Sequence, residues 1–271
     1  MSKILCIPDI HCRKFWRKPV EIYSDKVDKI VFLGDYLDPY RNEFEKTPEL
    51  MEGSDFYDVI SYISMLNKIV SLKIKNPEKY VLLLGNHTCS YIWPNFESAT
   101  RTDRENWKDY NNFFLKNLEY FNLVWIEDNC IFSHAGISKG WANEFLYSYM
   151  KYDEGAELEK NSLVFEAARV LKDTELKDFN IHYIKAISNI SHYRGGDSYY
   201  GSCEWADIRE HIDKVISYEN NTFIGKGDPG IFQVFGHTQL KAPLICDKWA
   251  CLDCRKAFIF DTETHECKDC I

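Results

Sequence analysis

The sequence predicts an α/β fold: short buried strands alternate with helices, and further strands close the chain. Three observations predict it. Apolar runs at Ile4–Ile7, Lys29–Leu33 and Tyr80–Leu84 each stop at a polar turn containing Pro or Gly. The stretch between the second and third runs carries a helical stripe. Strand-like runs return after residue 230.

Continuous runs of Ile, Val and Leu suit strands buried on both faces. From Ser54 to Lys73 the apolar residues Phe56, Val59, Ile60, Ile63, Leu66, Ile69 and Val70 recur at spacings of three and four, and Ser54 offers an N-cap. The resulting β-α-β-α-β order implies parallel strands with right-handed crossovers. Asp103 to Leu118 reads as helix. Leu123–Ile126 and Cys130–Phe132 read as paired strands around Asp128-Asn129. From about Ser138 to Ile190 the pattern is helical, with Ala167, Val170 and Leu171 on one face. A Gly-rich loop, Tyr193 to Gly201, follows. Ile231–Phe235, Leu244–Cys246 and Ala257–Phe260 return to strand. No repeat, low-complexity tract or linker interrupts the chain. One domain over 1–271 is therefore expected, with 138–190 as an inserted helical cap and 244–271 as a Cys-rich strand region.

Composition narrows the function. Hydrophobic residues make up 45% of the 271 and charged residues 28%, a globular balance. Lys and Arg number 33 against 42 Asp and Glu, a net charge of −9, which gives no general attraction to long nucleic acids. No apolar run is long enough to span a bilayer, and the N-terminus has no leader-like apolar region. Ten Cys without a secretory leader fit a reducing compartment, where thiols and metal ligands outnumber disulfides. A cytoplasmic protein is expected.

The chemistry lies at the strand ends. They carry Asp9-Ile10-His11, Gly34-Asp35-Tyr36-Leu37-Asp38, Gly85-Asn86-His87, Ser133-His134-Ala135-Gly136 and Gly236-His237-Thr238. Each triplet alone is common, and a lone His is as often a packed or surface residue. Five in order, each after a predicted strand, point to the carboxyl edge of a sheet, where α/β folds bind ligands. Mixed imidazole and carboxylate donors favour Mn, Fe, Zn, Ni or Co over Ca or Mg.

These motifs resemble the calcineurin-like metallophosphoesterase superfamily, from about Ile4 to Phe260. The resemblance implies a β-sandwich flanked by helices in four α/β/β/α layers, and two divalent transition-metal ions. It implies that Asp9 and His11 bind the first ion, that Asp35 bridges, and that Asn86, His134 and His237 bind the second. His87 would protonate the leaving oxygen, with Asp38 orienting its ring. The pattern is closer to the protein phosphatase and diadenosine tetraphosphatase branch, because Gln239 stands where many other branches carry a second His. Trp205-Ala206-Asp207 resembles the Trp-X-Asp stretch of that branch.

Departures concern the phosphate clamp. Cys12 replaces the usual Gly, Pro39-Tyr40 replaces Arg-Gly, and Thr88 replaces Glu. Arg41, Arg194 and Arg209 are the candidate substitutes, since the guanidinium fork matches phosphate oxygens. For each, a solvated or ion-paired arginine is an equally good reading. Tyr91, Trp93 and Phe96 either wall the substrate site or pack. Cys251, Cys254, Cys267 and Cys270 form two C-x-x-C pairs with twelve residues between them, the pattern of a structural zinc site; the first pair also reads as sheet. The expected function is metal-assisted hydrolysis of phosphate monoesters on small-molecule, nucleotide or phosphoprotein substrates. The alternatives are a dinucleoside polyphosphate hydrolase, a nuclease, or a non-catalytic binding module with a zinc site.

Overall fold

The first strand shows the plan. Ile4 and Cys6 face one way, Leu5 and Ile7 the other, and all four are fully buried. A strand covered on both faces belongs in the middle of a layered structure. The computed structural model describes residues 1–152, 162–209 and 231–270. In chain order the described strands are Lys3–Ile7 (β1), Lys29–Phe32 (β2), Tyr80–Leu83 (β3), Phe121–Asn122 (β4), Val124–Glu127 (β5), Cys130–Ser133 (β6), Phe232–Phe235 (β7), Leu244–Ile245 (β8), Trp249–Cys251 (β9), Phe258–Asp261 (β10) and Cys267–Asp269 (β11). The helices are Arg17–Tyr23 (α1), Arg41–Lys46 (α2), Val59–Lys75 (α3), Asn86–Ile92 (α4), Trp107–Lys116 (α5), Lys139–Tyr152 (α6), Leu163–Asp173 (α7) and Ile181–Ile187 (α8).

Two sheets result. The first has the order β11-β10-β1-β2-β3-β4, with β1 to β4 parallel and β10 antiparallel to β1. The second has the order β5-β6-β7-β9-β8, with β6, β7 and β9 parallel. Alternation sorts the side chains. Ile4, Cys6, Val31, Leu33, Val81 and Leu83 from the first sheet pack against Phe132, Phe232, Val234 and Ala250 from the second. Leu5, Ile7, Ile30 and Phe32 point outward into a cluster that also holds Leu66 and Ile69 of α3.

The predicted helix beginning at Ser54 begins instead at Val59. Asp58 is the cap: its carboxylate accepts the Ser61 N–H at 3.0 Å and the Ser54 N–H at 2.9 Å. A carboxylate that binds both flanking amides outcompetes the Ser54 hydroxyl and turns residues 54–57 into the entry loop. Phe56 therefore precedes the helix, and Ile60 is 81% exposed. The predicted helix 103–118 narrows to α5, and β5 and β6 pair antiparallel through a turn with Asp128 at φ 52°. Within 138–190, α6, α7 and α8 bury Trp141, Phe145, Val164, Leu171 and Ile187 in the cluster that contains Leu5; the predicted helical residues 153–161 lie outside the described residues. Strands β4, β9 and β11 were not predicted. They span two or three residues each, too short for a periodic signal.

Candidate metal centre

The loops after β1 and β2 are zipped together. His11 N–H donates to the Asp35 carbonyl at 2.8 Å and Cys12 N–H to the Tyr36 carbonyl at 2.9 Å. His11, Asp35, Asp38 and His237 all hold left-handed backbone, with φ of 43°, 44°, 62° and 65°. Such conformations cost non-glycine residues about 1 kcal/mol or more each and gather at functional sites. Two glycines make room for the carboxylates. A Cβ on Gly85 would lie 2.2 Å from Asp35 Oδ1, and one on Gly236 would lie 2.2 Å from Asp9 Oδ2.

Backbone carbonyls fix the imidazoles. A carbonyl only accepts, so His11 Nδ1–H donates to Leu37 O at 2.7 Å and His134 Nδ1–H donates to Leu33 O at 2.9 Å. Both Nε2 atoms then face the same carboxylate oxygen, Asp35 Oδ2, at 3.7 Å for His11 and 3.4 Å for His134. His134 Nε2 also lies 3.0 Å from Asn86 Oδ1 and 3.0 Å from His237 Nδ1. One ring nitrogen thus meets three acceptor-capable atoms, more than a single proton satisfies. His237 Nε2 is buried with no hydrogen-bond partner. This donor set fits a cation. Asp9 accepts the His237 N–H at 3.1 and 3.0 Å.

The charges agree. Burial pushes the Asp9 carboxyl up and the His11 and His237 imidazoles well down, leaving those two rings neutral, the form that ligates metals. Burial also opposes ionisation of Asp35, but the charges of His134 and His87 hold it well below the usual carboxylate range. His134 is the counterpart: despite burial, Asp35 and Asp9 carry its pKa up to about 10. The carboxylates thus hold positive charge at the position where Asn86, His134 and His237 converge.

His87 stands beside this cluster. Its Nδ1–H donates to Asp38 Oδ2 at 2.6 Å, and Asp38 Oδ1 accepts the Tyr91 hydroxyl. His87 lies near enough to His11 and Asp35 to form a three-ligand group with them. Both its ring nitrogens are engaged, however, because Arg101 Nη2 lies 3.3 Å from Nε2.

The candidate clamps separate. Arg194 reaches the His237 loop: its Nη2 donates to Thr238 Oγ1 at 2.6 Å and its Nε pairs with Asp207 Oδ2 at 2.8 Å. Arg209 is held by Asp207 and the Tyr193 carbonyl. Arg41 lies 4.5 Å over the Phe56 ring instead of at the ligand cluster. Tyr91 supports Asp38, while Trp93 packs in a stack on Phe179. The four-cysteine cluster does not form. Cys251 Sγ donates to Gly236 O and Cys254 Sγ to Leu252 O, while Cys267 opens the edge strand β11 of the other sheet. Among the described residues, the groups able to hold a metal contain no cysteine. Cys254 and Cys267 share the cluster between the sheets, while Cys251 is turned away to the Gly236 and Thr238 carbonyls.

Three further residues lie at the site, of which Asp253 sits inside the Cys251–Cys254 pair. Arg101 lies in an aperiodic polar loop, and only the missing Arg after Asp38 hinted that one must come from elsewhere. Asp253 is 5% exposed, its ionisation opposed first by burial and then by Asp9. Glu204 is fully buried between the Cys89 and Cys203 thiols.

A two-sheet α/β sandwich with imidazole, carboxylate and amide donors gathered at strand ends fits a metal-dependent hydrolase. The chain belongs to the calcineurin-like phosphoesterase family, whose profile matches residues 2–239. Similar solved structures include a cold-active protein-tyrosine phosphatase of a psychrophilic Shewanella species, at 14% identity over 99% of this chain and 80% of that one, TM-score 0.43. A protein serine/threonine phosphatase from Saccharomyces cerevisiae matches at 13% identity over 99% and 80%, TM-score 0.47. A metallophosphoesterase from Sphaerobacter thermophilus matches at 18% identity over 51% and 47%, TM-score 0.25. Likeness at this level carries no inference about substrate. None of the curated proteins compared matches the chain. No helix among the described residues is long and apolar enough to cross a membrane.

Proposed function

We propose that this phosphoesterase is dinuclear and hydrolyses phosphate monoesters on small aryl or nucleotide substrates. The observation that carries the reading is the shared oxygen: Asp35 Oδ2 faces His11 Nε2 on one side and His134 Nε2 on the other. Asp9, His11 and Asp35 would hold the first ion, and Asp35, Asn86, His134 and His237 the second. Two divalent ions there would activate a water and offset the charge of the phosphoryl oxygens.

The chain's own residues supply the proton. Asp38 fixes the His87 ring through Nδ1–H, which turns Nε2 towards the ligand cluster as the atom that would hand a proton to the departing oxygen. Tyr91 holds Asp38 in place. Arg194, bonded to Thr238 on the His237 loop, is a candidate ligand for phosphoryl oxygens. Long nucleic acids are disfavoured by the net charge of −9.

The test has two arms. Elemental analysis and anomalous scattering after reconstitution with excess Mn²⁺ are expected to show two ions per chain; a single ion refutes the dinuclear reading. The kcat/KM for p-nitrophenyl phosphate is expected to exceed that for linear DNA; the reverse order overturns the substrate choice in favour of a nuclease.

A further inference from the structure

We infer that Arg101 and the cavity beyond it form a leaving-group subsite, and that the leaving group it fits is a nucleotide: a planar base joined to its own phosphate. The inference rests on the assignment of His87 as proton donor.

Arg101 is placed with care. Its backbone is left-handed at φ 68°, its guanidinium lies 3.7 Å over the Tyr40 ring, and its Nε–H donates to the Asp38 carbonyl at 3.3 Å. Tyr40 in turn meets the His11 ring edge-on at 5.3 Å. The loop between α4 and α5 thus lays a cation on the residue that follows Asp38-Pro39. A guanidinium only donates, so its contact with His87 Nε2 makes that nitrogen an acceptor. A substrate oxygen set beside His87 Nε2 falls within reach of the same Arg101 Nη2. Arg101 is therefore aimed at the phosphoryl and leaving oxygens.

Beyond Arg101 opens a cavity of about 410 Å³ lined by Arg41, Phe56, Tyr57, Arg104 and the acidic Asp103 and Glu105. That volume is in the range of small-molecule sites. Its lining offers two recognition chemistries. Tyr57 is 49% exposed and sits edge-to-face on Phe56, whose ring carries the Arg41 guanidinium; this is a stacking surface for a planar ring. Arg41, Arg101 and Arg104 line it beside Asp103 and Glu105; Arg41 is also paired with Glu45 at 4.0 Å and donates to the Tyr57 hydroxyl at 3.2 Å, which leaves Arg101 and Arg104 as the cations turned to a ligand. Asp103 is occupied by Asn106, which donates from its backbone N–H and its Nδ2. The lining contains no strand edge for an extended peptide, so the ring and the anion belong to a small molecule.

The substrate is then a nucleotide bearing a further phosphate. Water adds its oxygen to phosphorus, the P–O ester bond breaks, and the departing oxygen takes the proton from His87 Nε2. The products are inorganic phosphate and the nucleotide, held by the cavity until release.

The test compares p-nitrophenyl phosphate, a nucleoside 3′-monophosphate and the matching nucleoside 3′,5′-bisphosphate on the Mn²⁺-loaded enzyme. The bisphosphate is expected to show a kcat/KM about tenfold or more above the other two, mostly through KM, the scale of a charge-assisted contact. Arg104→Ala is expected to bring the ratio of bisphosphate to p-nitrophenyl phosphate to about one. Arg101→Ala raises KM for all three. The nucleoside 5′-monophosphate is expected to inhibit competitively, and Tyr57→Ala to weaken that inhibition. Equal kcat/KM for monophosphate and bisphosphate, or a ratio unmoved by Arg104→Ala, overturns the inference while leaving the phosphoesterase reading standing. No turnover of p-nitrophenyl phosphate at all sinks the earlier reading instead.

Discussion

Replacing Glu204 by Gln should change how stability depends on pH. Glu204 has no solvent exposure, and among the described residues its two oxygens meet the Cys89 and Cys203 thiols, each at 3.8 Å. Thiols are weak donors and compensate little for a buried charge. Burial accordingly pushes the carboxyl from its ordinary 4.5 up to about 8, with the His134 charge opposing the shift. Between those values the unfolded chain has lost the proton and the folded chain retains it. Stability is fully present below the lower value and is lost as pH rises towards the upper one, by about 1.4 kcal/mol per pH unit and about 5 kcal/mol in all. A glutamine carries no such slope. Urea unfolding of EDTA-treated wild type and Glu204→Gln, from about pH 5 to about pH 8, should show the variant gaining some 4 kcal/mol relative to wild type. Parallel pH profiles for the two proteins would refute the reasoning and show that Glu204 ionises normally in the fold.

Two further substitutions probe the site. His87→Ala should lower turnover roughly 10²–10⁴-fold with metal content retained, and Asp38→Asn should cost less because it only orients the ring; loss of an ion from His87→Ala, read by elemental analysis, would make His87 a ligand. Gly236→Ala places a methyl 2.2 Å from Asp9 Oδ2, so metal titration should show weaker binding of the first ion; an unchanged affinity would show that Asp9 yields without consequence.

The sequence made the cluster of Asp, Asn and His side chains legible because each follows a buried apolar strand. Ile4–Ile7 ahead of Asp9, or Tyr80–Leu84 ahead of Asn86, announces both the strand and the turn after it. The same logic failed wherever function depends on contacts between loops. Arg101 is 14 residues from His87 in sequence and meets it only because the loop folds back over Tyr40. Arg41 sits close to Asp38 in sequence, yet the Phe56 ring draws it aside. The cysteine spacing likewise says nothing about where each thiol points: Cys251 turns to the Gly236 carbonyl, while Cys254 and Cys267 pack together between the sheets. Ser54 lost its capping role to Asp58 because competition between two good caps is decided by geometry, not residue type.

The donors come from both layers of the sandwich. Asp9, Asp35 and Asn86 follow strands of the first sheet, and His134 and His237 follow strands of the second. The Asp9 carboxylate already reaches across to the His237 amide, 228 positions away in the chain. An ion seated among these groups would be a rivet through both sheets, driven only after β7 has docked. Partly made chains, lacking His237, would offer an incomplete cage. Metal capture would then be one of the last events of folding, and stripping the ion should loosen the seam between the sheets before either sheet comes apart.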